Sequence, residues 1–175
     1  MLFRSSKGTL NISTTQEYNT SAKIDGIGSS ALNVKNSASI TTLALDGTAG
    51  TSDATTLELA GGALALTLGN VADAIETVNL KSSVSANTVT ITETQATSTY
   101  GVSGDKDLTL VGDFDTDFTA DTITNSGTGV LTLKNNATMA GGTDLTKVAA
   151  GTKLDLAADS GGQIVSLAEI GRASC

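Results

Sequence analysis

The sequence predicts an all-β solenoid, a parallel β-helix-like coil, and three observations predict it. The first is rhythm. Aliphatic pairs separated by a single residue recur at Leu43/Leu45, Leu66/Leu68, Val89/Ile91, Leu108/Leu110, Leu131/Leu133 and Leu154/Leu156. Successive pairs stand 23 residues apart, except for a step of 19 from Val89 to Leu108. A period in this range marks stacked repeats, because one unit of that size cannot bury its apolar face alone. The second is alternation. In each pair the aliphatic residues flank a Thr, Ala or Asp, so one face of an extended segment is apolar and the other is not. The third is composition. With no Pro, His or Trp, three Phe and two Tyr, the core must be built from Leu, Ile, Val and Ala, and so must be narrow.

Taken in chain order, a second and weaker set of strands interleaves with the first. Leu32/Val34 precedes Leu43/Leu45, Leu57/Leu59 precedes Leu66/Leu68, and Val78/Leu80 precedes Val89/Ile91. Tyr100/Val102, Ile123, Val148 and Ile164 continue the set, with a looser register from Tyr100 onward. Two short strands per rung, joined by turns of Gly, Asn, Asp and Ser, use up each period. Six rungs stacked at about 4.8 Å give a rod roughly 29 Å long. Residues 72–76 and 146–150 each read as a single helical turn. Gly61-Gly62, Gly141-Gly142 and Gly161-Gly162 fit no Walker or dinucleotide pattern and read as corners where positive φ is needed.

The structural rival is an immunoglobulin-like sandwich, or two in tandem, because strands every 8–12 residues or so also suit that fold. Proline-free loops, the lack of a core Trp and the evenness of the 23-residue steps count against it. Leucine-rich repeats share the period, but their Asn- or Cys-containing consensus is missing.

Net charge is −8 and the isoelectric point about 4.3, with both arginines at the extremes. Nucleic-acid binding requires clustered Lys and Arg with stacking aromatics, and the chain offers neither. Its most hydrophobic stretch, residues 60–68, is far shorter than a membrane-spanning helix and contains two glycines. A membrane barrel needs aromatic girdles that this composition does not supply.

Residues 2–5 and 170–175 can be back-translated into reverse-complementary stretches that match a common sequencing-library adaptor. The expectation is that residues 1–5 and 170–175 are non-native ends flanking one β-strand-repeat domain, residues 6–169, drawn from a longer protein. Between those ends lie eight lysines, eighteen acidic residues and no cysteine, a composition compatible with export.

The densest polar cluster runs from Gly112 to Asp121. Asp113, Asp115 and Asp117 alternate as in the opening of a calcium loop, and with Asp121 they are the candidate metal ligands. The helix-loop-helix version fails, because its sixth position is Phe118 and its twelfth Thr124. The competing reading is a solvated acidic turn. Asp105 with Asp107, and Asp155 with Asp159, are weaker candidates, with Lys106 and Lys153 at hand to neutralise them. Catalysis by the common nucleophile–base pairs needs His, Cys or a positioned Lys, and the interior has neither of the first two. Paired carboxylates for glycoside cleavage are conceivable, but Tyr18, Tyr100, Phe114 and Phe118 make a poor sugar platform. No catalytic residue or cofactor is assigned. Asn11, Asn19 and Asn136 open glycosylation sequons, which arise readily by chance in so Thr- and Asn-rich a chain.

Residues 75–80 (Ile-Glu-Thr-Val-Asn-Leu), 104–110 (Gly-Asp-Lys-Asp-Leu-Thr-Leu) and 151–159, followed by Gly161-Gly162, carry a resemblance. They resemble the β-strand-repeat regions of bacterial surface-layer proteins and of large type I-secreted surface proteins. The likeness spans residues 31–168 and rests on composition and rhythm. It implies an extracellular, cell-surface role, self-association into an array or stalk, and frequently calcium. The calcium-binding nonapeptide of secreted-toxin repeats is absent, which puts bound calcium in doubt. The function expected is therefore a structural solenoid segment of an exported surface protein. The alternatives are a glycan- or cell-binding segment of a secreted adhesin and, last, a carbohydrate-active β-helix.

Overall fold

A computed structural model describes residues 2–4, 10–13, 21–25, 32–35, 42–49, 52–59, 61–69, 74–93, 98–118, 121–138, 143–156 and 165–167. The first strands are β1 (Leu2–Arg4), β2 (Leu10–Ser13), β3 (Ser21–Asp25), β4 (Leu32–Lys35) and β5 (Thr42–Leu45). The middle of the chain forms β6 (Ala54–Leu59), β7 (Gly62–Leu68), β8 (Thr77–Ser82), β9 (Asn87–Glu93), β10 (Thr99–Ser103) and β11 (Leu108–Gly112). Then follow β12 (Thr122–Asn125), β13 (Leu131–Asn135), β14 (Thr143–Leu145), β15 (Lys153–Asp155) and β16 (Val165–Leu167).

Odd and even strands part into two sheets. One is eight-stranded, in the order β1-β3-β5-β7-β9-β11-β13-β15, and the other six-stranded, β12-β10-β8-β6-β4-β2. Every pairing is parallel, and β14 pairs with β16 in a small third sheet. Within each sheet, strands bond to the strand two further on in the chain, so the backbone winds as a β-solenoid with two strands per rung. The six aliphatic pairs lie on or beside β5, β7, β9, β11, β13 and β15, and no immunoglobulin-like sandwich forms among the described residues.

Alternation places the side chains as the sequence requires. β7 buries Leu64, Leu66 and Leu68 and exposes Ala63, Ala65 and Thr67, while β6 buries Thr55, Leu57 and Leu59. The buried hydrophobic residues from Leu43 to Val148 form one core cluster. Each fully buried Leu, Ile or Val contributes about 1.5–3 kcal/mol from the surface it removes from water.

The second strand set stacks in two files, Leu32-Thr55-Val78-Tyr100-Ile123 and Val34-Leu57-Leu80-Val102, which puts Leu57/Leu59 two residues out of step with Leu32/Val34 and Val78/Leu80. Val34 lies over Leu57 and Leu57 over Leu80, then Val78 over Tyr100, Tyr100 over Ile123, and Ile123 bridges Val148. In the first set the files do not follow equal steps. Leu43 sits over Leu66, but Val89 sits over Leu64 and under Leu110, and Leu133 lies over Leu154. The steps from Leu64 through Val89, Leu110 and Leu133 to Leu154 are therefore 25, 21, 23 and 21 residues. A slip of two residues keeps every side chain on its own face, so alternation alone does not distinguish the two registers.

Two local expectations are corrected. No helix occurs among the described residues. Ala74–Glu76 runs irregularly into β8, and residues 145–148 make a tight turn, Val148 N–H donating to Leu145 O at 3.1 Å, because Val148 must lie extended beside Ile123. The core is also not purely aliphatic. Tyr100, Phe114 and Phe118 are fully buried, with Phe118 edge-on to both others at centroid distances of 6.1 and 5.7 Å. Gly112 makes room for them, since a Cβ there would lie 2.8 Å from the Phe118 ring.

Gly61 and Gly62 turn their corner with φ of 100° and 92°, as expected of that pair, whereas Gly141-Gly142, Gly161-Gly162, Ile164, Tyr18, Asn19 and Asp159 lie outside the described residues. Leu2–Arg4 forms a strand beside β3. Among the described residues no helix is long and apolar enough to cross a membrane.

Candidate functional site

Parallel coils leave backbone N–H groups unpaired where strands give way to corners, and each must find an acceptor. Here the acceptor comes from the next rung. The Glu76 carboxylate takes the N–H of Asp53 at 2.6 Å, Asn87 Oδ1 that of Gly61 at 2.8 Å, and Asp117 Oδ1 that of Glu93 at 3.0 Å. Asp121 Oδ1 takes Ser98 N–H at 2.7 Å and Asn135 Oδ1 takes Phe114 N–H at 3.2 Å. The sequence separations are 23, 26, 24, 23 and 21 residues, one turn of the coil in each case. Asp107 Oδ1 works in the opposite direction, accepting Val130 N–H at 2.9 Å.

Several of these groups converge at the end of β9. Alternation carries Val89, Ile91 and then Glu93 inward, so a carboxylate enters the core where an aliphatic residue would otherwise sit. Glu93 is satisfied there by hydroxyls: Tyr100 O–H donates to Oε2 at 2.6 Å, and Ser98 Oγ lies 2.6 Å from Oε1 and 3.2 Å from Ile75 O. Contacts this short suit a carboxylate acceptor. Burial, followed by the charge of Glu93, holds the Tyr100 phenol well above its ordinary range.

Asp121 completes the cluster from the rung above. It is 3% exposed, its Oδ1 is occupied by Ser98 N–H, and its Oδ2 is buried without a donor. Burial pushes its carboxyl up to about 7, with the facing Glu93 carboxylate adding to the rise and Ser98 N–H and Lys147 opposing it.

The four aspartates singled out by the sequence are spread across this framework. Asp113 is half-buried, and its Oδ1 accepts Asp115 N–H at 2.9 Å in a tight turn. Asp115 is half-buried as well. Asp117 is buried and holds two backbone donors, Glu93 N–H on Oδ1 and Asp113 N–H on Oδ2 at 2.7 Å. Asp121 lies across from Glu93, beyond that turn. Among the described residues no group of three or more His, Cys, Asp or Glu is placed to hold a metal ion. Lys106 pairs with Asp105 at 2.8 Å and lowers its carboxyl. Asp155 pairs with Lys134, one rung below, at 3.5 Å.

Sequence reasoning passed over Glu93, Ser98 and Tyr100 as a site. Two signals mark them: Glu93 falls on an inward position of its strand, and Asp53, Glu76, Ser98 and Asp121 recur one coil apart at a corner. Tyr100, Phe114 and Phe118 are committed to the core and present no outward platform for a sugar ring. No family model, curated protein or solved structure matches this chain.

Proposed function

We propose that the chain is a structural segment of an exported bacterial cell-surface protein, a β-solenoid scaffold or stalk of the surface-layer kind, with no catalytic step of its own. One observation carries the reading: Glu76, Asn87, Asp117, Asp121 and Asn135 are engaged in tying one rung to the next. Parallel rungs joined both by backbone bonds and by side-chain caps make a rod that resists shear between turns, which is what an array element must do. The net charge of −8 keeps its surface hydrated. Assembly into an array or lattice, with or without calcium, is the activity to look for. Electron microscopy and sedimentation of the purified chain, with and without millimolar calcium, test it. Ordered sheets or filaments support the scaffold, and a monodisperse monomer under all conditions overturns it.

A second reading is favoured by the outer face of the eight-stranded sheet. Thr88, Thr109 and Thr132 stand in one file across β9, β11 and β13, with Thr90 and Thr92 beside them. Such a flat hydroxyl-bearing surface suits a glycan- or cell-binding segment of an adhesin. Glycan-array binding without self-assembly favours this reading over the first.

A further inference from the structure

The contact between the β9–β10 rung and the β11–β12 rung contains an acid pair whose geometry is incomplete without a hydrogen atom. We infer that Glu93 and Asp121 share a single proton, and that this proton forms a pH-sensitive latch between the two rungs.

The argument begins with donors. Both oxygens of Glu93 accept hydroxyl contacts at 2.6 Å, as an ionised carboxylate does. Asp121 Oδ1 accepts at 2.7 Å the backbone N–H of Ser98, the residue whose hydroxyl contacts Glu93, while its buried Oδ2 has no donor. An oxygen sealed from water without a donor is costly when ionised. As a hydroxyl it becomes the donor, and the facing Glu93 carboxylate is its acceptor. Two carboxyls this close do not both ionise readily, the reasoning that applies to any carboxylate dyad.

The charges around the pair leave that assignment in place. Asp117, from the turn after β11, faces the pair, but its two oxygens are held by Glu93 N–H and Asp113 N–H. Tyr100, from β10, donates to Glu93 and is neutral. Glu76, in the rung below, points to Asp53 N–H. Lys147, after β14, acts on Asp121 and works against protonation. The latch acts inside the coil and would stand even if the surface-scaffold reading failed.

Carbon-detected NMR titration of the carboxyl groups in the intact chain tests this directly. Asp121 Cγ is expected to titrate near pH 7, with Glu93 Cδ moving at the same midpoint. A midpoint for Asp121 at about 4, like an ordinary aspartate, overturns the inference. In parallel, Asp121→Asn keeps the cap on Ser98 and offers a permanent N–H to Glu93. The parent's unfolding midpoint should fall between about pH 4 and pH 7 relative to that of Asp121→Asn. Identical pH profiles would overturn the latch. Should the variant not fold, the titration of the parent alone decides.

Discussion

The Glu76 carboxylate reaches one full turn back along the coil to accept the backbone N–H of Asp53, 23 residues earlier, at 2.6 Å. The bond adds a side-chain tie between two rungs at a corner where Thr77 N–H also donates to Asp53 O at 3.0 Å. Glu76→Ala is expected to cost about 1–3 kcal/mol, the penalty of stranding a buried donor. Asp117→Ala strands two, the N–H groups of Glu93 and Asp113, and should cost more. Urea denaturation of both variants checks the order, and equal midpoints would contradict it.

Leu131→Asp places an unpaired charge in the dry core, where Leu131 is 1% exposed and lies over Leu108. A loss of several kcal/mol is expected. Thr132→Asp, one position along and turned outward, should be nearly silent in the same denaturation series. Similar losses for the two would mean that the faces are misassigned.

Gly104 and Gly62 separate two kinds of glycine requirement. Both have positive φ, at 104° and 92°, but a Cβ on Gly104 would lie 2.0 Å from Ser82 O, whereas one on Gly62 meets nothing within 4 Å. Gly62→Ala should cost only the backbone strain, on the order of 1–2 kcal/mol. Gly104→Ala must also push the neighbouring rung away and should cost clearly more, measured as the difference in thermal midpoint.

Stability against pH carries a definite sign at Asp121. Its carboxyl is raised in the folded chain, to about 7, so the folded state holds a proton that the unfolded state releases from about pH 4. The stabilisation is complete below about pH 4, declines as pH rises, and is gone above about pH 7, where both states are ionised. The amplitude is a few kcal/mol, set by roughly 1.4 kcal/mol per pH unit. Calorimetric scans of the parent and Asp121→Asn should run together at about pH 4 and diverge toward pH 7, the parent falling. Parallel scans would contradict the assignment.

Much of the fold was legible because alternation and period act on every rung alike. Leu43, Leu66, Leu110 and Leu133 could be placed in the core from spacing alone, and the even-strand file from Val78 through Tyr100 to Ile123 follows the same logic. Register was less legible. Val89 lies over Leu64 instead of Leu66, and nothing in a pattern of period two penalises that slip. The site was less legible still, because Glu93, Ser98, Tyr100 and Asp121 meet through winding, and their adjacency exists only once the rungs are counted correctly. The acidic run at Asp113, Asp115 and Asp117 is conspicuous in the sequence because its members are neighbours there, yet its best-buried member, Asp117, serves the backbone of another rung.

Disulfide trapping across adjacent rungs tests the stacked coil and its register together, in a background where Cys175→Ser removes the native thiol. Ala65 and Thr90 are paired neighbours on the outer face of β7 and β9. Their Cα atoms, about 4.8 Å apart across parallel strands, fall within the 4.4–6.8 Å or so that a disulfide spans. Ala65→Cys with Thr90→Cys should oxidise readily to an intramolecular bond, and Ala65→Cys with Thr88→Cys should not. Failure of the first pair with success of the second would establish equal 23-residue steps, and failure of both would contradict the solenoid itself.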